Sequence, residues 1–287
     1  WIDDWHRNYT LDVYRISLVY DLIPLSYPQH CTEAHSKGFA RWLSAALATS
    51  DGVISISRSA MDSVREFAEH APNTRVRHYA YFHLGCDFSA QEQANRSLEI
   101  PEGLRTRRYF LIVGTIEPRK NHKTLFAAFE KYRKSGGQWD LAVVGREGWN
   151  CANIVAAMRG SPWFGDGLQW FDNADDTLLA ALYKGAGALV IPSEVEGFGL
   201  PLVEGVHWKI PVIASDIPVF REVGESFANF FPAHSESALL SLLQRAEMGE
   251  IKNAVSDSSE VGISWDRSAE QFSTAVESMI NKVEPTL

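Results

Sequence analysis

Residues 190–211 read VIPSEVEGFGLPLVEGVHWKIP. The apolar run at residues 188–191 has the length of a buried strand, and it ends at Pro192. Pro201 fits the first turn of a helix that begins near Gly199, because a proline at that position loses no hydrogen bond. The stretch therefore predicts a buried strand, a glycine-containing loop and a helix in direct succession.

Two carboxylates lie in this stretch on either side of the predicted helix start. Glu196 lies in the loop, and Glu204 lies one turn into the helix. The first N–H groups of a helix have no partner within the helix and carry a partial positive charge. The loop and helix start are therefore suited to holding an anion.

The composition is that of an ordinary globular protein. A length of 287 residues favours two domains. The hydrophobic content is 45%, and no run of 18 apolar residues exists to span a membrane. A net charge of −9 argues against broad nucleic-acid binding. The cysteines form no CxxC pair and no even disulfide set, which favours a reducing cytoplasm; they are Cys31, Cys86 and Cys151.

The first part of the chain predicts a βαβ unit followed by a further strand. Asp21 directly follows the first strand, and it is open both to a turn or capping role and to a role at the strand's carboxyl end. The polar residues 89–108 mark the predicted domain boundary. The expected elements are strands at 15–20 and 53–57, one strand within 73–88, and helices at 34–50 and from Ser57 or Ser59 to about 69.

The second part predicts a Rossmann-like domain, because continuous apolar strands alternate with amphipathic helices. We expect strands at 109–113, 139–144, 168–171, 188–191 and 212–214, and helices at 121–132, 154–158, 176–183 and 200–208. Two closing helices are expected at 238–247 and 268–283.

Chemistry-bearing residues follow four consecutive strands of this series. Residues 114–121 read GTIEPRKN, in which Gly114 permits close approach of a ligand and Arg119 and Lys120 can grip a diphosphate. Gly145-Arg146 and Phe171-Asp172 end the next two strands, and the loop that carries Glu196 follows the strand at 188–191. Because the carboxyl ends of parallel strands meet at one rim, we expect a binding site there. The spacing matches neither GxGxxG nor a P-loop.

The two acids and their neighbours resemble a known signature. The spacing from Glu196 to Glu204, with GFGLP inside, is similar to the E-x7-E signature of retaining glycosyltransferases of family 4. Residues 114–121 resemble the phosphate-gripping segment of that family, and residues 19–24, VYDLIP, resemble the acceptor-domain segment of a mannosyltransferase-like branch. The resemblance implies the α/β fold called GT-B, in which two Rossmann-like domains face each other across a cleft.

The resemblance also implies roles for individual residues. Glu196 would face the hydroxyl groups of the donor sugar, and Glu204 would hold the ribose. The implied catalytic residues are Glu196, Asp21, Arg119 and Lys120. The implied donor-binding residues are Gly114, Thr115, Arg119, Lys120, Gly145, Arg146, Phe171, Asp172, Phe198, Gly199, Leu200 and Glu204, with the N–H groups of residues 198–200 on the phosphate.

The chain departs from the family pattern in two places. Tyr20 stands where many members carry histidine, so no histidine contact to the sugar is expected. Few residues precede Asp21, so we expect an acceptor-side domain that is incomplete at its N-terminus. The expected domains are an acceptor-side domain at 1–100, a nucleotide-sugar-binding domain at 101–264, and a C-terminal helix at 265–287 for which a return to the first domain is one option.

The expected activity is transfer of a hexose, with mannose favoured, from a nucleotide diphosphate sugar with retention of configuration. Fixed cations and a helix N-terminus would stabilise the leaving diphosphate, so no metal and no cofactor are expected. No Asp-x-Asp triplet occurs, and His30, Cys31, Glu33 and His35 lack the spacing of a metal site. Attack on the face that the leaving group departs from, and a covalent route, both stay open.

The resemblance favours GDP-mannose as the donor and a saccharide or lipid-linked saccharide as the acceptor, in the synthesis of a cell-surface polysaccharide. One alternative is a UDP- or dTDP-sugar transferase of the same family. A second alternative is a domain that binds nucleotide sugar, or acts as a scaffold, without catalysis. We expect a cytoplasmic protein with no nucleic-acid partner. Peripheral contact with the inner face of the membrane, and the oligomeric state, stay open.

Overall fold

The computed structural model describes residues 13–86, 100–101, 103–104, 108–253 and 264–281. Contacts between residues divide the chain into two compact units. The first unit contains the described residues up to Gly85, the short segment Glu196–Phe198 and the described residues from Ser264 onward. The second unit contains the described residues of 86–195 and of 199–262. The predicted domain bounds stay predictions, since residues 87–99 and 254–263 lie outside the described residues.

The first unit is built on a parallel sheet of three strands in the order β1-β2-β3. Its strands are β1 (Ile16–Val19), β2 (Gly52–Ser55) and β3 (His78–Tyr81). Its helices are α1 (Ile23–Ser26), α2 (Glu33–Thr49), α3 (Arg58–His70) and α10 (Trp265–Ile280), and a 3-10 turn spans Pro28–His30. Strands β1 and β2 are parallel and are joined by α2, which confirms the predicted βαβ unit.

Local hydrogen bonds set where the two long helices of the βαβ unit begin. The N–H group of His35 donates to Thr32 Oγ1 at the start of α2. The N–H group of Ala60 donates to Ser57 Oγ at the start of α3. Such caps satisfy N–H groups that have no partner within the helix. Beneath the helices lies an apolar core that includes Val19, Leu43, Leu47, Val53 and Val64.

Helix α10 packs on the first unit near its third strand. Ser268 Oγ donates to the carbonyl oxygen of His83 at 2.7 Å, and the N–H group of His83 donates to Gln271 Oε1 at 3.0 Å. A Cβ on Gly85 would lie 2.5 Å from Trp265 Cα, so the two backbones approach too closely for any larger residue. The C-terminal helix is therefore an integral part of the first unit.

The second unit contains a six-stranded parallel sheet in the order β6-β5-β4-β7-β8-β9. Its strands are β4 (Tyr109–Val113), β5 (Asp140–Val144), β6 (Leu168–Phe171), β7 (Ala188–Ile191), β8 (Val212–Ser215) and β9 (Ala228–Phe231). Its helices are α4 (His122–Lys134), α5 (Ala152–Arg159), α6 (Asp176–Gly185), α7 (Leu200–His207), α8 (Pro218–Gly224) and α9 (Glu236–Glu247). The strand order reverses direction beside β4, where doubly wound folds form their ligand crevice.

Helices cover both faces of this sheet, and each face has its own apolar core. Phe110, Ile112 and Leu141 contribute to one core, which α4 and α9 cover. Leu111 and Leu189 contribute to the other core, which includes residues of α6, α7 and α8. Because alternate residues of one strand enter opposite cores, the strands are apolar throughout, as a buried parallel sheet requires.

The predicted fold class, α/β with parallel sheets and helices, is confirmed. Strands β4, β6 and β7 have the predicted bounds. The sequence did not predict α1, which occupies an expected loop, or α8 and β9. Among the described residues, no helix combines the length and apolar content needed to cross a bilayer.

Candidate active site

The loops after β4 and β5 lie side by side at the carboxyl rim of the second unit. The N–H group of Gly114 donates to the Val144 carbonyl oxygen, and that of Gly145 donates to the Phe171 carbonyl oxygen. A Cβ on Gly145 would lie 2.0 Å from the Gly114 carbonyl oxygen, and the φ of Gly145 is +150°. Gly145 is therefore required for the packing of the two loops against each other.

Lys120 lies over the backbone of Gly114. A Cβ on Gly114 would lie 3.4 Å from Lys120 Cε and 3.5 Å from Lys120 Nζ. Lys120 ends a 3-10 turn, Pro118–Lys120, and the next residue, Asn121, has a left-handed backbone with φ of 52°. The turn between β4 and α4 therefore brings a cation back to the end of β4.

Arg119 forms an ion pair with the neighbouring acid Glu117. Its Nη2 lies 2.6 Å from Glu117 Oε1, and the N–H group of Glu194 donates to its carbonyl oxygen at 2.8 Å. The ion pair offsets the charge of Arg119 at this rim. The structure gives the two predicted cations, Arg119 and Lys120, different surroundings.

Glu204 accepts a short hydrogen bond from the hydroxyl group of Tyr183. Tyr183 is fully buried on α6, and Glu204 is half-buried on α7. Burial raises the pKa of Glu204, while the Tyr183 hydrogen bond and the charge of Lys120 lower it. Burial, followed by the negative charge of Glu204, raises the pKa of Tyr183 well above its ordinary value, so the phenol is the donor. We name Gly114, Lys120, Tyr183 and Glu204 the rim cluster.

Sequence reasoning missed Tyr183. In the sequence it is one apolar residue of a predicted helix, and 21 positions separate it from Glu204. Its hydroxyl group was the available signal, because a buried tyrosine usually needs a hydrogen-bond partner. The partner itself is defined only by the packing of α6 against α7.

Helix α7 begins at Leu200, beside the predicted start near Gly199, and its N-cap residue Gly199 has a left-handed backbone with φ of 98°. A Cβ on Gly199 would lie 2.5 Å from Phe220 Cε1. No side chain caps the start of the helix, and Leu200 in its first turn is exposed. The helix start therefore has the N–H groups and the open position that a phosphate needs.

The segment Glu196–Phe198, which we name the loop tip, belongs to the first unit. Ser57 Oγ is buried, and it donates to the carbonyl oxygen of Gly197 at 2.8 Å. A Cβ on Gly197 would lie 3.1 Å from Asp21 Oδ2. Ser57, the capping residue of α3, therefore also fixes the backbone of the loop tip.

The loop tip brings two predicted site residues, Glu196 and Asp21, into one small region of the first unit. Asp21 Oδ1 accepts the N–H group of Ile23 at 2.9 Å, which is a turn contact at the start of α1. Glu196 is half-buried, and the Phe198 ring centroid lies 5.5 Å from that of His83. Asp21 therefore has a local structural role besides its position next to Gly197.

The remaining predicted residues occupy less distinctive positions. Thr115, Arg146 and Asp172 are exposed in the loops after β4, β5 and β6. Phe171 is half-buried against the second apolar core. The structure places these four residues at the strand ends.

His122, the first residue of α4, is fully buried, and neither of its ring nitrogen atoms has a hydrogen-bond partner. Burial and then the charge of Lys120 lower the pKa of His122 to about 3. The imidazole is therefore neutral near pH 7. This agrees with a packing role and not with proton transfer.

The described residues contain no group of three His, Cys, Asp or Glu side chains that could hold a metal ion. At the rim of the second unit, Lys120 contributes a positive charge and the start of α7 a partial positive charge. Both kinds of group stabilise anions in proteins.

Comparison with known sequences gives a family and several relatives. The model of the family "Glycosyl transferases group 1" matches residues 95–256. The serotype-specific mannosyltransferase WbdA of Escherichia coli is 33% identical over 263 residues, which are 88% of this chain and 32% of WbdA. The O-antigen chain mannosyltransferase RfbU of Salmonella typhimurium is 32% identical over 149 residues, 52% of this chain and 40% of RfbU. The chain thus spans about a third of the length of WbdA.

Solved structures show the same fold at low sequence identity. Sucrose-phosphate synthase from Thermosynechococcus elongatus has a TM-score of 0.72 at 20% identity, over 97% of this chain and 71% of that one. HepE of Anabaena, in complex with UDP and glucose, has a TM-score of 0.69 at 14% identity, over 92% of this chain and 71% of that one. The structural similarity is to GT-B glycosyltransferases, and it concerns the fold alone.

Proposed function

This chain belongs to the glycosyl transferases group 1 family, and we propose that it transfers mannose from GDP-mannose to a saccharide hydroxyl group in the synthesis of a cell-surface polysaccharide. The observation that carries the proposal is the 33% identity to a serotype-specific mannosyltransferase over 263 residues. An O-antigen mannosyltransferase, RfbU, supports the same sugar and the same class of product. The acceptor is a saccharide or a lipid-linked saccharide.

The rim cluster supports the donor-binding part of this proposal. Lys120 lies at the end of β4, and its positive charge suits the diphosphate of the donor. The start of α7 adds N–H groups and a partial positive charge for the same anion. Glu204 then contacts the ribose, and Glu196 contacts the hydroxyl groups of the sugar.

In the proposed reaction, the bond between the anomeric carbon and the diphosphate oxygen breaks. A bond from the acceptor oxygen to the anomeric carbon forms on the same face, and the acceptor proton passes to the departing diphosphate. Negative charge grows on that diphosphate in the transition state, where Lys120 and the helix start stabilise it. The reaction therefore retains configuration and needs no divalent metal. We place it in the cytoplasm, where nucleotide sugar and reduced cysteines coexist.

The test is a donor panel with the purified protein and a mannose-containing acceptor. GDP-mannose, UDP-sugars and dTDP-sugars are compared by detection of the glycosylated product, with and without excess EDTA. We expect product from GDP-mannose at the same rate in both conditions, and an α-linkage by NMR if the donor is α-linked. Thermal stabilisation by donor without any product would overturn the enzyme in favour of a binding domain. A strict metal requirement would overturn the proposed stabilisation of the diphosphate.

A further inference from the structure

The hydrogen bond between Tyr183 and Glu204 fixes one side of a carboxylate at the rim of the second unit. The Tyr183 hydroxyl group donates to Oε2 of Glu204, and Tyr183 has no exposed surface. A buried phenol on a packed helix has few alternative rotamers, so its hydroxyl group stays in one place. The carboxylate that accepts from it is held in one orientation.

We propose that Tyr183 is a positioning residue that occupies Oε2 of Glu204, so that Oε1 serves the ribose hydroxyl groups and the site selects ribonucleotides over 2′-deoxyribonucleotides. The inference rests on the proposed function, because it assumes a nucleotide donor. The inference is about recognition of the ribose in the nucleotide, whereas the donor panel tests which nucleotide sugar is used for transfer.

The electrostatics of the pair support this role. Burial opposes the charged form of Glu204 and raises its pKa, but the Tyr183 hydrogen bond and the charge of Lys120 lower that pKa. Tyr183 on α6 and Lys120 in the turn before α4 are thus the two groups that favour the ionised carboxylate. Cys86 also raises the pKa of Tyr183, by less than Glu204 does. An ionised carboxylate accepts hydrogen bonds from hydroxyl groups at both oxygens, and more strongly than the protonated acid, in which one oxygen becomes a donor.

Selection follows from the cost of an unmatched polar group. A nucleotide without the 2′-hydroxyl group leaves a half-buried, charged oxygen without its donor. Sites built to hydrogen-bond a substrate hydroxyl group reject analogues that lack it, because the partner is left unsatisfied. The same argument makes dTDP-sugars poor donors.

The test compares wild type, Tyr183→Phe and Glu204→Gln by calorimetric titration with GDP and 2′-deoxy-GDP, and by kinetics with GDP-mannose. We expect wild type to bind GDP about 10- to 100-fold more tightly than 2′-deoxy-GDP, since a hydrogen bond to a charged group is involved. Tyr183→Phe keeps the buried ring, so we expect its Tm to stay close to that of wild type. We expect the variant to have a smaller difference in affinity between GDP and 2′-deoxy-GDP. Its KM for GDP-mannose should rise by a larger factor than its kcat falls.

The pH profile separates positioning from simple packing. Loss of the Tyr183 hydrogen bond removes one of the two influences that lower the pKa of Glu204. The acidic limb of kcat/KM therefore moves to higher pH in Tyr183→Phe, and it is absent in Glu204→Gln, which has no carboxyl group to titrate. A structural role alone would lower Tm without moving that limb.

The outcomes are distinct. Wild type that binds neither nucleotide overturns both the proposed function and this inference. Wild type that binds GDP, with a Tyr183→Phe variant of unchanged selectivity and pH profile, overturns the inference alone. If Tyr183→Phe does not fold, Glu204→Gln serves as the second test, because this variant lacks the charged carboxylate that the inference requires. An undiminished preference of Glu204→Gln for GDP over 2′-deoxy-GDP would overturn the inference.

Discussion

Glu196 and Glu204 belong to one short stretch of sequence, but the structure holds them by different means. The backbone of the loop tip is fixed by a hydrogen bond from Ser57 to Gly197, and the side chain of Glu196 is only half-buried. At Glu204 the side chain itself is fixed, by Tyr183. The fixed group is thus a backbone carbonyl in the loop tip, whereas at Glu204 it is the carboxylate itself. We propose a role at the reacting sugar for Glu196 and a role in recognition of the nucleotide for Glu204.

The largest effect is expected for Glu196→Ala. If Glu196 contacts the reacting sugar, its loss lowers kcat by about 100- to 1,000-fold, the size found when one stabilising contact to a transition state is removed. Binding of GDP, measured by calorimetry, should change little, because GDP lacks the sugar. Circular dichroism checks that the fold is kept. A kcat of Glu196→Ala near that of wild type would contradict the proposed role of Glu196 at the reacting sugar.

The next effect is expected at the cations of the second unit. Lys120→Ala should raise KM for GDP-mannose by about 10- to 100-fold, through loss of a charge-assisted contact. Arg119→Ala is the matched control, because Arg119 is the neighbouring cation and its Nη2 lies 2.6 Å from Glu117 Oε1. We expect a rise of less than ~10-fold there. Equal rises in KM would show that the Arg119–Glu117 pair opens when the donor binds.

Lys120→Ala should also act on Glu204. Removal of the positive charge raises the pKa of Glu204, so the acidic limb of kcat/KM moves to higher pH. Glu196 lies in the other unit, and its own substitution should leave that limb in place. An acidic limb that moves in Glu196→Ala would assign the titration to the loop tip.

Ser57→Ala tests the fixation of the loop tip. It removes both the cap of α3 and the hydrogen bond to Gly197, at a cost of about 1–3 kcal/mol in the free energy of unfolding. Thr32→Ala removes only a cap, that of α2. We therefore expect kcat to fall by about tenfold in Ser57→Ala and to stay unchanged in Thr32→Ala, and Ser57→Thr to restore most of it. Identical kcat values in the two alanine variants would show that the cap alone matters.

The smallest effect is expected for His122, whose titration changes the free energy of unfolding and not the chemistry of the two acids. It must be known before a pH profile of activity is assigned to Glu204. Its pKa of about 3 in the folded protein lies below the ordinary value of 6.5, so the unfolded chain binds more protons between these values. The free energy of unfolding should fall as pH is lowered from about 6.5 to 3. His122→Phe should reduce this fall in urea titrations at several pH values. An unchanged fall would assign acid sensitivity to other groups.

The sheet of the second unit could be predicted from the sequence because its strands are buried on both faces and read as continuous apolar runs. β9 was missed because Asn229 interrupts the short apolar run of that strand. In the structure the Asn229 side chain donates to the Val212 carbonyl oxygen. α1 was missed because Pro24 indicated a loop, although proline fits the first turn of a helix.

The candidate site was predictable where it depends on glycines and on strand ends. Gly114, Gly145 and Gly199 each have a positive φ, which agrees with positions chosen for close backbone approach. Pairing between distant side chains was not predictable: the sequence gives no sign that Tyr183 meets Glu204, or that Ser57 meets Gly197. Such contacts depend on the relative placement of elements, which local patterns do not encode.

The position of α10 in the first unit has a consequence for synthesis of the chain. His83 exchanges hydrogen bonds with Ser268 and Gln271, and Gly85 packs on the backbone of Trp265. During translation, every strand of the second unit leaves the ribosome before these partners exist. The β3 region therefore gains these contacts only after α10 has emerged, although β3 itself is synthesised before the whole of the second unit's sheet.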